Sequence, residues 1–373
     1  MRARRRAIFM LVLTLILGLE AGHMVRRGRE AAAAPPSREI PAPTVEPTET
    51  PVPTPEIDLE KTKPNEAGEI PIVMFHAFID ELDPARDYDD MFLKCTQSFS
   101  YLRQLMENLY DRGYRLTSMN DFLNNEIKVE AGYKPVIFTF DDGTNGQFSL
   151  TEQDGKLVVN PDCAVAVMME FYEEHPDFGL EGTFYVCLAN DPFYDANATG
   201  HKQAGTLKER IQYLVDLGFE VGNHTYGHSN LSAMRDAEDI IREIGKNQAV
   251  MYDLVEGYRF TSLALPYGNV PDSLLEYIKG GTYEGVSYAN QGALLASWDP
   301  SVSPANPNFD PYNIHRVRGT GFMAEQGDFE WWLENERSPV YVSDGDPDTI
   351  TVPEAYQSLI DESRLGNKHL RIY

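Results

Sequence analysis

The sequence predicts an α/β fold in which parallel strands close, or nearly close, into a barrel. Short β-branched and aromatic runs alternate with helical patterns from about residue 70 to residue 335, the signature of βαβ units. Polar residues suited to chemistry recur where successive runs end, the carboxyl-end position at which such barrels keep their sites. An open doubly wound sheet is the alternative. The 373 residues are 42% hydrophobic and 11% aromatic, enough for one large domain, since α/β barrels of about 200–250 residues are commonly single domains.

The chain opens with Arg2, Arg4, Arg5 and Arg6 and then the uncharged apolar run Ala7 to Leu19. As a helix that run spans about 20 Å, short of the roughly 30 Å hydrocarbon core and suited to the apolar region of a signal peptide. Residues 1–29 therefore read as a signal peptide or a short membrane anchor, which leaves open a membrane tether through the N-terminus. Residues 30–66 are rich in Ala, Pro, Thr and Glu without hydrophobic periodicity and read as a disordered linker. The folded domain is expected over 67–373.

Ile70 to His76 is the first strand-like run. Phe99, Leu102, Leu105, Met106 and Leu109 then mark one face of a helix closed by Gly113, and Tyr114 to Thr117 adds a short strand. Lys134 to Gly143, KPVIFTFDDG, is the clearest strand, bounded by Pro135 and Gly143. Residues 144–160 form a polar loop with turn signals at Asn145-Gly146 and Asp154-Gly155. A mostly apolar helix runs from Pro161 to Glu174, followed by a strand from Thr183 to Cys187. Thr206 caps a helix that stops at Gly218, and Phe219 to Gly222 is a strand leading into His224. A long helix spans about Ala233 to Val255, and a strand from Phe260 to Leu265 meets Pro266-Tyr267-Gly268. Pro271 opens another helix. Gly285 to Tyr288 and Asn313 to Val317 complete the expected strands, and a last helix lies near Phe322 to Asn335, before a weakly patterned tail.

Charge and cysteine content limit the partners. The formal net charge is −26, and residues 1–29 hold seven Arg against Glu20, a net of +6 that leaves −32 for the rest. So acidic a surface disfavours nucleic acid and anionic polymers and suits neutral or cationic material. Cys95, Cys163 and Cys187 lack metal-ligand spacing, and both one disulfide and free thiols remain open.

Three strand ends carry the chemistry. Asp141 and Asp142 close an apolar strand, where carboxylates are costly unless paired, protonated or bound to a metal. Consecutive strand residues point to opposite sides, so one can ligate a metal while the other stays free as a base. His224 and His228, four apart, converge on one metal if the segment turns helically. Ala264 to Gly268, ALPYG, taken alone, is a proline turn.

Taken together, Thr139 to Gly143, then His224-Thr225-Tyr226-Gly227-His228, then Pro266-Tyr267-Gly268 resemble the polysaccharide deacetylase family, carbohydrate esterase family 4, in motif and in order. The resemblance covers about Ile70 to Arg318. It implies a distorted (β/α) barrel of about seven parallel strands, a single catalytic domain over 67–373, and hydrolysis of N-acetyl or O-acetyl groups on a polysaccharide. By the same resemblance Asp142, His224 and His228 bind a divalent metal, usually zinc, with cobalt or manganese as alternatives. Asp141 is the general base, and the backbone N–H of Tyr267 contributes to the oxyanion hole. The implied partner is an N-acetylated polysaccharide such as peptidoglycan or another GlcNAc polymer, at the cell surface or outside the cell.

Two departures stand out. The arginine that the family often carries two residues before the motif-three proline is Ala264 here, and the late Leu-x-His motif that supplies the acid is not evident. Arg316 and Arg318 are candidates to replace the arginine, and His315 is a candidate acid, although strand neighbours face opposite ways. His76 is a further candidate for lining the site. Trp298, Trp331 and Trp332 could stack on sugar rings, with core packing the better default for a tryptophan. These departures also motivate an alternative: a carbohydrate-binding protein that keeps the metal site but has lost catalysis.

Overall fold

In the computed structural model, residues 57–194, 203–335 and 338–373 are described; the expected signal or anchor and most of the expected linker lie outside them. Seven parallel strands build the barrel: β1 (Ile72–Phe75), β2 (Lys134–Asp142), β3 (Thr183–Val186), β4 (Glu220–Asn223), β5 (Ser262–Ala264), β6 (Gly292–Leu294) and β7 (Val317–Arg318). Their order is β6-β5-β4-β3-β2-β1-β7, with the short strand Tyr114–Leu116 paired to the start of β2. The two ends of this sheet meet only through isolated parallel bridges, Leu294 to Ile314 and Ser297 to Val317. The distorted barrel read from the sequence is therefore what forms, and its loosest seam lies between β6 and β7.

Alternation along each strand sorts the core. Phe138 and Phe140 of β2 point outward with Phe75 and Phe184 into the cluster that also buries Leu102, Leu105, Met106 and Phe171 of the covering helices. Ile137 and Tyr185 point inward with Ile72, Ala264, Leu294 and Ile314, filling the barrel below the site. Burial on both faces explains why the strands read as nearly continuous apolar runs. Gly222 of β4 has a packing reason: a Cβ there would lie 2.3 Å from the Tyr185 ring, which crosses the barrel interior.

The helices follow their sequence signals closely. Ser98 accepts from the Tyr101 amide to start α1 (Phe99–Asp111), and a Thr206/Glu209 capping box starts α3 (Leu207–Asp216). Between them α2 (Ala164–Glu174) begins three residues later than Pro161 suggested, and α4 (Ala237–Leu254) follows α3.

Several expectations are corrected. Gly285 to Tyr288 falls in an antiparallel hairpin, Gly280–Tyr283 with Val286–Ala289, and the barrel strand is instead Gly292–Leu294. Three residues with two small side chains carry too little β signal to be read alone. The polar loop holds a second hairpin, Leu150–Gln153 with Lys156–Val159 around Asp154-Gly155. The last helix is shorter than expected, Phe329–Glu334. The tail contributes a parallel pair, Thr349–Val352 with His369–Ile372. Cys163 and Cys187 are buried thiols and Cys95 is a partly exposed one. No helix of the described residues is long and apolar enough to cross a membrane.

The fold also begins before residue 67. A one-turn helix spans Leu59–Thr62, Asn65 bridges Val342, and Glu66 is buried. The Glu66 carboxylate accepts from the Tyr341 hydroxyl (3.0 Å) and the Thr351 amide (2.7 Å). Burial, with Asp344 nearby, nonetheless pushes its pKa up to about 8. A carboxyl whose folded pKa is raised contributes stability in full below its unfolded value of 4.5, and that contribution is lost as pH rises toward 8. Each pH unit in that window is expected to cost up to about 1.4 kcal/mol. Urea unfolding at pH 5, 6.5 and 8 should show this decline in the wild type and a flatter profile in Glu66→Gln; equal slopes would refute it.

Candidate active site

The singled-out strand ends other than His315 and Arg316 meet around one cavity of about 510 Å³, lined by His76, Asp141, Asp142, His224, His228 and Tyr267 among others. Asp141 is almost fully buried, at the top of the β2 side chains that face into the barrel. Opposite it stands Arg316, just before β7 and fully buried. The guanidinium donates both ways, Nη1 to Oδ1 at 2.7 Å and Nη2 to Oδ2 at 2.8 Å, while its Nε donates to the Leu295 carbonyl at 2.8 Å. Burial alone would raise the Asp141 pKa; the Arg316 charge, followed by His224, outweighs it and holds the group below the ordinary carboxylate range. Arg316 thus occupies the tethering role left vacant by Ala264, reached from a different strand.

Asp142 does not continue the strand alternation. Its φ of +74° is left-handed, so its carboxylate turns into the same cavity as Asp141 instead of facing away. Gly143 follows at φ +69°, where an added Cβ would lie 2.6 Å from Pro192. The histidine loop departs from expectation too: the segment is no helix, and Thr225 and His228 take φ of +62° and +56°. Such conformations cost about 1–3 kcal/mol each and persist where the surroundings over-determine them. Here Asn223 Oδ1 accepts from the Thr225 amide (2.9 Å) and from Asn247 Nδ2 (2.9 Å), and Thr225 Oγ1 accepts from the Ser229 amide (3.1 Å).

These turns bring His224 Nε2 to 3.4 Å and His228 Nε2 to 3.3 Å from the same Asp142 oxygen. The three side chains offer ligand atoms within 4.8 Å of one another. His224 Nδ1 lies 2.9 Å from the Ala264 carbonyl, which places the proton on Nδ1 and the lone pair on Nε2. Ligand atoms about 2.1 Å from a shared tetrahedral ion sit roughly 3.4 Å apart, so separation, tautomer and donor chemistry all fit a divalent metal. Burial opposes ionisation of Asp142, but the hydrogen bond and charge of His224 bring its pKa well below normal.

The remaining candidates separate. His76 lines the cavity, and its buried Nδ1 has no partner among the described residues. His315 is half-buried and not among the lining residues, because it alternates with the inward-facing Ile314 and Arg316. Tyr267, at φ +60°, sits at the rim with its ring 5.2 Å from that of His228. Trp298 overturns the expectation of a core residue: it is 50% exposed on the cavity wall, with Arg318 4.7 Å from its ring. Sequence reasoning missed Met74, Met91, Phe92 and Cys95 of that wall, since apolar residues without a motif look like core.

A parallel α/β barrel with titratable groups gathered at its carboxyl end, here an Asp-His-His cluster beside an arginine-held aspartate, has the layout of a hydrolytic centre. Residues 128–286 match the family model described as polysaccharide deacetylase, and this segment belongs to that family. Among solved structures, BA0330 of Bacillus anthracis, classed as a polysaccharide deacetylase, is 19% identical with a TM-score of 0.50, over 71% of this chain and 68% of its own. The Streptococcus pyogenes deacetylase PplD is 17% identical with a TM-score of 0.49, over 71% and 97% respectively. No curated protein matches the sequence.

Removing one partner of a buried ion pair leaves an uncompensated charge, at about 3–5 kcal/mol. Arg316→Met is therefore expected to lose about that much stability at pH 7 in chemical denaturation, and Arg316→Met/Asp141→Asn to recover part of it. Absence of coupling in that double-mutant cycle would refute the pairing.

Proposed function

We propose that the protein is a metal-dependent deacetylase that removes N-acetyl or O-acetyl groups from an extracellular or cell-envelope polysaccharide, such as peptidoglycan or another GlcNAc polymer. The observation that carries this reading is the division of labour between adjacent aspartates: Asp142 faces two imidazole nitrogens, while Asp141 is ionised, buried and tethered apart from them. Asp142, His224 and His228 would hold the metal, with zinc the expected ion for two imidazoles and one carboxylate at an open site. When bound, that ion supplies Lewis-acid polarisation of the acetyl carbonyl and acidifies a water.

The chain's own residues supply the rest. Asp141, kept as the anion by Arg316, accepts the proton of the attacking water. The Tyr267 peptide N–H, on its left-handed turn, donates to the oxygen that gains charge, where a preorganised donor is worth most. His76, an imidazole outside the ligand set that burial holds in its neutral form, passes a proton to the departing amine and is restored by the one Asp141 has taken from the water. Export fits the basic, apolar N-terminal sequence, and an acidic surface suits a product bearing new amines. Of the two motives for reading a catalytically silent binding protein, the missing arginine is answered by Arg316 on Asp141, and the absent Leu-x-His motif by the assignment of His76.

Acetate release from chito-oligosaccharides and from peptidoglycan, with and without chelator, tests the proposal. Release should stop on chelation and return with zinc. Asp141→Asn should lower it by about 10²–10⁴-fold while zinc still binds one per chain. Full activity in that variant, or activity indifferent to chelation, would sink the assignment.

A further inference from the structure

The β1–β2 ladder ends at the pair Phe75 and Phe140. The next residues, His76 and Asp141, are the acid and base assigned above; β1 has ended there, while β2 stays paired to β3 through Asp141 and Asp142, so between β1 and β2 the two carbonyls lie past the last ladder pair. Donors for both come from the turn after β2. Gln147, fully buried, donates from Nε2 to the His76 carbonyl at 2.6 Å and to the Asp141 carbonyl. Thr144 Oγ1 adds a second donor to the His76 carbonyl at 3.0 Å. Facing two acceptors, only the amino end of the carboxamide satisfies both.

The turn is itself anchored. The Gly146 and Gln147 carbonyls accept the Ala164 and Val165 amides (2.9 and 3.1 Å), tying it to the first turn of α2. At the other end of the side chain, Gln147 Oε1 is buried with no partner among the described residues. An unsatisfied buried acceptor costs about 1–3 kcal/mol, a cost that an apolar side chain of the same length would avoid. Packing alone therefore does not account for a carboxamide here, whereas two donors aimed at two diverging strand ends do.

We propose that Gln147 is a positioning residue, whose carboxamide sets the separation of the β1 and β2 ends so that His76 and Asp141 address the same acetyl group. The proposal rests on the deacetylase reading. A misplacement of about 1 Å between reacting groups can cost about 100-fold in rate, so loss of the clamp should appear in turnover more than in binding.

The experiment compares two substrates in Gln147→Met, which keeps the length but cannot donate to carbonyls, and in Thr144→Val, which removes the other donor. An N-acetylated chito-oligosaccharide needs its leaving amine protonated; 4-nitrophenyl acetate does not. With zinc bound one per chain, kcat on the amide should fall about 10- to 100-fold with KM and nitrophenyl acetate turnover changed by less than about 3-fold. Thr144→Val should shift the same ratio more weakly. Parallel loss on both substrates, or no loss on the amide, would overturn the proposal. A wild-type protein that releases no acetate from any N-acetylated or O-acetylated sugar would instead overturn the deacetylase reading. The clamp is then judged by amide hydrogen exchange over residues 76–78 and 141–143, which Gln147→Met should accelerate at both strand ends and which would refute the clamp if unchanged.

Discussion

The ion pair between Asp141 and Arg316 spans the barrel from β2 to the approach of β7, and much of the site's architecture depends on it. Both side chains are buried, in a setting where an unpaired charge is strongly unfavourable. The pair needs every remaining donor occupied, and the Leu295 carbonyl and Thr139 hydroxyl accept from the same guanidinium. Thr139 in turn donates to the Val73 carbonyl, so β1, β2 and the residues flanking β6 and β7 are bound into one polar network. This network crosses the side of the barrel where backbone pairing is thinnest, the two isolated bridges between β6 and β7.

Backbone conformation does the work on the other half of the site. Asp142, Thr225, His228 and Tyr267 all adopt left-handed φ, each in one of the three motifs. In extended or helical backbone the same residues would point elsewhere: Asp142 away from Asp141, and the two histidines along a helix face. The motifs are thus instructions for turns as much as lists of functional groups, and the neighbouring Gly143, Asn223 and Asn247 hold those turns.

Legibility followed the strength of the local signal. β2, α1 and α3 were readable because long apolar periodicity, caps and terminal glycines agreed. β6 was not, because Gly292, Ala293 and Leu294 become a strand only through neighbours on both sides. The N-terminal edge was misplaced because Glu66 looks like linker composition until Tyr341 and Thr351 surround it. Trp298 has the residue type of a core position, and only the structure shows it half exposed on the cavity wall with Arg318 packed on its ring.

By itself the sequence determined the barrel class, the order of the three motifs and the three residues, Asp142, His224 and His228, that the structure gathers into a cluster able to hold a metal, because these depend on residue type and short spacing. It also named Arg316 as a candidate without choosing between it and Arg318, since both sit on one face of the last strand. Only the tertiary structure decided that Arg316 holds Asp141 while Arg318 pairs with Asp328, that His76 and not His315 faces the cavity, and that Gln147 joins two strand ends. Each of those outcomes is a contact across the barrel or across a turn, and direction in space is the property that sequence spacing does not carry.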